Sequence, residues 1–133
     1  MLQHIKRLLK ENSFIVAVLV TAIILSLSLI KMPNTPTKIN FVNIDKLYHT
    51  IAYFTLTFSW LIVFYKKPNK KYLIVICCIL FGIVIEILQS KITVHRTGDY
   101  LDILANSSGV ILALLIFNLI FKKNRLINNK TCI

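Results

Sequence analysis

The sequence predicts an all-α, polytopic membrane protein: a bundle of four transmembrane helices with both termini in the cytoplasm. Three observations predict it. The chain is 56% hydrophobic over 133 residues, with a mean hydropathy of +0.73, whereas soluble domains hold about 45–50% apolar residues. The apolar residues gather into four long runs separated by polar connections. The sixteen Lys and Arg residues flank those runs unevenly.

The first run, Phe14 to Ile30, is seventeen residues without a charge and follows Lys6, Arg7 and Lys10. It exceeds the about 7–15 residues of a signal-peptide core, and no small-residue cleavage site follows it. It therefore reads as an uncleaved span over residues 14–30, stopped by Pro33 and Pro36. Asn43 reads as the N-cap of a second span at residues 46–65. A short basic loop, Lys66-Lys67-Pro68-Asn69-Lys70-Lys71, leads to a third span at 72–90, which carries Glu86 and Gln89 near its end. The fourth span, 101–121, has Asp102 and Asn106 near its start. Each run matches the about 20 residues that cross a bilayer core. No soluble domain, internal repeat or low-complexity segment separates them, so residues 1–133 read as a single membrane domain.

Charge sets the orientation. With alternating spans, the N-terminal segment, the 66–71 loop and the C-terminal tail together hold eleven of the sixteen Lys and Arg residues. The positive-inside rule then places both termini in the cytoplasm and the connections around 31–45 and 91–99 outside. This predicts a multi-pass protein of the bacterial cytoplasmic membrane. The formal charge of +11 does not indicate nucleic acid, because the basic residues flank apolar runs and no recognition motif accompanies them. They read as topology signals and contacts to anionic lipids. Cys77, Cys78 and Cys132 form neither a disulfide framework nor a zinc spacing.

The five acids are distributed unevenly. Asp45, Glu86, Asp99 and Asp102 all fall at or near the predicted outer surface, together with His49 and His95. Asp45, His49 and Tyr53 are spaced four and four, which puts them on one helix face, with Lys46 beside them. Asp99, Asp102, Asn106 and Gly109, spaced three, four and three, share a face of the fourth helix. Ionisable groups carried into a membrane helix are costly and mark function by default. Glu86 and His49 are the candidates for general acid–base chemistry. Arg96 and Lys46 offer charge-assisted bonds to phosphate.

Each feature also has a bland explanation. Asp99 reads as an N-cap and Asp102 as the acid of a capping box. Tyr53 reads as packing, and the Ala105–Gly109–Ala113 face as a close helix contact. Thr55, Thr57, Ser59, Ser107 and Ser108 read as bonding back to their own helices. A divalent ion among the carboxylates lacks a diagnostic ligand set, so no metal ligand and no cofactor are assigned.

The ordered set resembles the VanZ-like family over about residues 10–121. Asp45-Lys46-Leu47-Tyr48-His49, then Glu86-Ile87-Leu88-Gln89, then Arg96-Thr97-Gly98-Asp99 with Asp102, Asn106 and Gly109 carry the resemblance. The resemblance implies a small bacterial helical membrane protein, in a family whose founding member is associated with teicoplanin resistance.

The expected function is binding of an anionic envelope lipid or another phosphate-bearing headgroup, at a polar site on the extracytoplasmic ends of the helices. Asp45, Lys46, His49, Glu86, Gln89, Arg96, Asp99, Asp102 and Asn106 would form the site, with membrane lipids or a lipid-linked envelope precursor as partners. One alternative is a stabilising salt-bridge network in a structural or partner-binding protein. The other is an enzyme acting on a lipid-linked substrate through His49 or Glu86. The balance leans away from an enzyme.

Overall fold

The computed structural model describes residues 2–30, 42–92 and 100–130, with side chains for 12–30, 44–92 and 100–121. It is all-helical there. Helix α1 spans Leu2–Leu29, α2 Val42–Val63, α3 Lys71–Ile92 and α4 Tyr100–Lys130, with a single 3₁₀ turn at Pro68–Lys70 before α3. Both α1 and α4 run past their apolar segments, so basic stretches at each end of the chain are helical. Helix α2 starts at Val42, which leaves Asn43 inside its first turn and not at its cap.

Among the described residues, three helical segments are long and apolar enough to cross a membrane: Asn12–Leu29, Pro68–Ile92 and Tyr100–Phe121. The protein is thus a multi-pass membrane protein. Four such segments were expected, and α2 is the exception. Asp45, Lys46, His49 and a series of hydroxyl residues dilute its apolar content.

Contacts between the helices define their directions. Thr50 meets Ala105, Phe58 meets Phe117 and Tyr65 meets Phe121, so α2 and α4 run parallel. His49 faces Glu86 while Lys71 reaches Asn118, so α3 runs antiparallel to both. The pairing of α2 with α4 is the most extensive in the molecule, and small residues make it close. A Cβ on Gly109 would run into the Thr50 carbonyl oxygen and lie 3.0 Å from the Phe54 nitrogen. Ala105 and Ala113 flank it, both buried. The small-residue face is therefore a close helix contact, as its spacing predicted. Lower down, Phe58, Phe117, Phe121 and Tyr65 continue the seam as ring contacts.

The buried stripes explain which way the polar residues point. On α3 the buried set is Ile74, Cys78, Gly82, Ile85, Glu86 and Gln89. On α4 it is Asp102, Ala105, Asn106, Gly109, Val110, Ala113 and Phe117. Both follow the three-and-four spacing of one helical face. Glu86, Gln89, Asp102 and Asn106 lie on the same faces as the apolar core. They point inward, away from the Ile, Leu and Val side chains exposed on the opposite faces, which is where lipid would lie.

Helix α1 is the most exposed, with Phe14, Ile15, Leu19, Ile23 and Leu27 facing outward. Three anchors hold it. The Trp60 indole donates to Thr21 Oγ1 at 3.1 Å, Phe14 packs edge-on to Trp60, and Gln89 Nε2 donates to the Ser28 carbonyl at 2.8 Å. Trp60→Phe is expected to lower the unfolding free energy by about 0.6 kcal/mol, the average value of an interhelical hydrogen bond in a membrane. Unfolding by denaturing detergent checks this.

Thr55, Ser59 and Ser108 bond back to carbonyls of their own helices at 2.7–2.9 Å, as expected. Thr57 departs from that pattern: it is fully buried and its hydroxyl makes no hydrogen bond among the described residues.

Candidate functional site

The polar residues of α2, α3 and α4 meet at one end of the molecule, around His49. The start of α2 supplies Asp45, Lys46 and His49, the end of α3 supplies Glu86, and the start of α4 supplies Asp102 and Asn106. Helix geometry alone aligns Asp45 with His49 one turn on, their Oδ1 and Nε2 atoms 4.0 Å apart. The tight α2–α4 contact at Gly109 brings the start of α4 beside them.

The imidazole is the hub. His49 Nδ1 lies 3.1 Å from Asn106 Oδ1 and 3.9 Å from Glu86 Oε1. An amide oxygen only accepts, so in this contact it is the Nδ1-protonated tautomer of His49 that donates. Nε2 is then turned toward Asp45. The His49 side chain is 14% exposed and that of Glu86 4%, whereas the Asp45 side chain, at 47%, marks the outer rim. Lys46 Nζ lies 3.7 Å from Asp102 Oδ1, the two side chains 24% and 10% exposed. A mostly buried pair of this kind needs further hydrogen bonds to offset desolvation.

Asp102 is the third residue of α4. Its carboxylate is favoured there by the positive end of the helix dipole. Beneath the hub, Tyr53 is buried against Phe81 and Gly82. A Cβ on Gly82 would lie 3.1 Å from Tyr53 Cε1 and 3.4 Å from Asn106 Cβ. Glycine at 82 thus lets α3 approach both residues.

Six of the nine predicted site residues therefore come together: Asp45, Lys46, His49, Glu86, Asp102 and Asn106. Gln89 is buried near them, with its amide nitrogen donating to Ser28 on α1. Arg96 and Asp99 lie outside the described residues, as does His95.

Thr50 was not anticipated. Its hydroxyl contacts the Lys46 carbonyl at 2.9 Å and the Ala105 carbonyl at 3.2 Å, tying the His49 turn to α4. A threonine one residue after a histidine carries no signal by itself. Paired with a glycine on the facing helix, it would have. Asn118 was also missed. It accepts a bond of 2.9 Å from Lys71 at the opposite end of the molecule.

The VanZ/LLP1 family model matches residues 3–122. The chain belongs to the VanZ/LLP1 family. The matched segment contains all six assembled residues. The chain is similar to an uncharacterized protein of Schizosaccharomyces pombe, 34% identical over 114 residues, which cover 84% of this chain and 67% of that protein. No solved structure matches the chain. The resemblance suggested bacterial proteins, whereas this similar protein is fungal.

Proposed function

We propose that this VanZ/LLP1 protein binds a phosphate-bearing lipid headgroup at the end of the molecule where α2, α3 and α4 bring their polar residues together. The observation that carries the reading is the side-chain convergence on His49: charged and amide groups from three helices, half of them buried, within 4.0 Å of a neighbour. Helix packing alone is achieved here by Gly109, Ala105 and Ala113 and does not require this set. Lys46, one-quarter exposed beside Asp102, is the described cation available to a phosphate, and Arg96 is the second one assigned from the sequence. The fungal relative favours a headgroup common to bacteria and fungi, such as that of a phospholipid, over a bacterial wall precursor.

In this reading α2 crosses the membrane with the other three helices. Its long parallel contact with α4, which is apolar enough to span, supports that. Lys66, Lys70 and Lys71 lie over the rings of Tyr65, Phe64 and Tyr72 at 5.7, 5.8 and 5.1 Å. Cations and aromatic rings together suit the membrane–water boundary. With the excess of Lys and Arg at that end, both termini are cytoplasmic and the site faces outward across a cytoplasmic membrane. In a cysteine-free background, cysteines at Thr37 and Asn69 are expected to react with an impermeant reagent from outside and inside respectively. Reversed labelling refutes the orientation.

The binding itself is tested on purified full-length protein in nanodiscs titrated with phosphatidic acid and phosphatidylcholine. Loss of one charge-assisted hydrogen bond costs about 1.5–3 kcal/mol, so Lys46→Ala is expected to weaken phosphatidic acid binding by about 10- to 100-fold. Unchanged affinity refutes the reading. A second reading, in which the same groups serve only as a structural network, is favoured by the Gln89–Ser28 and His49–Asn106 bonds. It predicts that Lys46→Ala changes stability and leaves lipid affinity alone.

A further inference from the structure

Between Phe81 and the basic end of the molecule, α1, α2 and α3 do not close on one another. They surround a cavity of about 350 Å³, more than twice the about 150 Å³ of an apolar cavity that takes up one benzene. Thr21 of α1, Trp60 and Phe64 of α2, and Phe81 of α3 stand among its walls. Leu73 and Cys77 also line it and are exposed on α3, so the cavity opens toward the side where lipid would lie. We propose that it holds one acyl chain of an anionic phospholipid, drawn from the leaflet at the Lys66–Lys71 end, with Lys70 at the headgroup. This site lies at the opposite end from His49 and does not rest on the headgroup reading made there.

The polarity of the walls selects an apolar occupant. The Thr21 hydroxyl donates to the Ala17 carbonyl at 2.7 Å and accepts the Trp60 indole N–H at 3.1 Å. These two polar groups are thus spent on protein partners, and the rings and aliphatic side chains around them offer hydrocarbon surface. A polar ligand would lose its water without gaining those groups in exchange, whereas a hydrocarbon chain meets no such cost.

The dimensions select a single chain. Lys71 to Phe81 is ten residues of helix, about 15 Å at the usual rise. That is half of the about 30 Å hydrocarbon core, the depth occupied by the chains of one leaflet. Spread over that length, the cavity has a bore of about 5 Å, well under the about 10–12 Å of a helix with its side chains. A partner helix is therefore too thick for it.

Charge selects the headgroup. Lys70 lines the cavity just before α3 begins, its Nζ 5.8 Å from the centroid of the Phe64 ring, another wall residue. Lys66 and Lys71 lie over Tyr65 and Tyr72 at the same end. A lysine with its stem along an apolar wall carries its ammonium to the membrane surface, where anionic headgroups sit. An apolar slot with a cation at its surface end fits a molecule with a hydrocarbon tail and a negative head.

Trp60 supplies the readout, because it is the chain's only tryptophan and it lines the cavity. Purified full-length protein in detergent is titrated with phosphatidylglycerol brominated in its acyl chains, since bromine quenches an indole that it touches. Saturable quenching at one lipid per chain is expected. Phosphatidylcholine with the same brominated chains should bind at least about fivefold more weakly, the worth of one lysine at an anionic surface. Lys70→Gln should weaken phosphatidylglycerol binding about fivefold and leave phosphatidylcholine binding unchanged. Lys70 is exposed, so this variant is expected to keep the wild-type melting profile. Quenching that climbs without saturating reports bulk lipid contact and overturns the site. Equal affinity for the two brominated lipids, or unaltered phosphatidylglycerol affinity in Lys70→Gln, overturns the headgroup assignment. Displacement of the brominated phosphatidylglycerol more readily by oleate than by its unbrominated form overturns a phospholipid as the occupant.

Discussion

Gly109→Ala is expected to prevent the protein from accumulating in the membrane. The added methyl would run into the Thr50 carbonyl oxygen, and it would also sit 3.0 Å from the Phe54 nitrogen and 3.1 Å from the Thr50 carbonyl carbon. All three atoms belong to the α2 backbone. No side chain can swing aside, so α2 must move away from α4. That shift stretches the 3.2 Å contact between Thr50 and the Ala105 carbonyl and loosens the largest interface in the molecule. Overpacking a well-packed interior costs about 1–3 kcal/mol, and a backbone clash belongs at the upper end. Gly82→Ala is the control. There the nearest atom is Tyr53 Cε1 at 3.1 Å, part of a ring that can tilt, so a smaller loss is expected. Immunoblots of membrane fractions and melting of purified protein measure both. Wild-type abundance and melting for Gly109→Ala would contradict the packing described above.

Glu86→Gln is expected to leave the protein folded and to abolish retention of the phosphate-bearing lipid. The substitution preserves shape and hydrogen-bonding capacity at a site where the side chain is 4% exposed. It alters charge in direct view of His49, whose Nδ1 is 3.9 Å from the carboxylate. Groups gathered for function often reduce stability, so neutralising one of them tends to cost little or to stabilise. A purely structural network behaves oppositely, because breaking a buried pair by removing one partner costs about 3–5 kcal/mol. Melting temperature and native mass spectrometry of retained lipid, measured on one preparation, separate the two. Lower stability with lipid retention intact would overturn the site reading in favour of the structural one. Asn106→Ala complements this. It removes the acceptor that orients His49 at 3.1 Å and is expected to weaken lipid binding about tenfold, the worth of one well-placed hydrogen bond.

Much of the site was legible in the sequence because each part of it is local. Asp45, Lys46 and His49 fall within a turn and a half of one helix, and Asp102 and Asn106 fall four apart on another. Periodicity is sufficient to put such residues on a common face. On α4 that face continues into Ala105, Gly109 and Ala113, which read as a close helix contact. Other features were not legible. Glu86 and Gln89 share a helix face by spacing, yet one contacts His49 and the other ties down α1 at Ser28. Residues three apart on a helix differ by about 60° in direction, and which helix each meets depends on where the neighbours stand. The cross-helix contacts of Thr50 and Asn118 had no sequence signal, since each is made to a partner more than forty residues away.

The sequence by itself determined the helices, the family and the end of the molecule that would be polar. Apolar run length, three-and-four spacing and charge placement are properties of single segments. It overstated α2 as an independently apolar span, because the polar residues that build the site lower the hydropathy of the helix that carries most of them. Tertiary structure alone decided that α2 lies parallel to α4, that Gly109 sets their separation, and that His49 stands between Asn106, Glu86 and Asp45. Those distances depend on the rotation and axial offset of four helices relative to one another. Such offsets come from the packing of whole faces and cannot be read from any one segment.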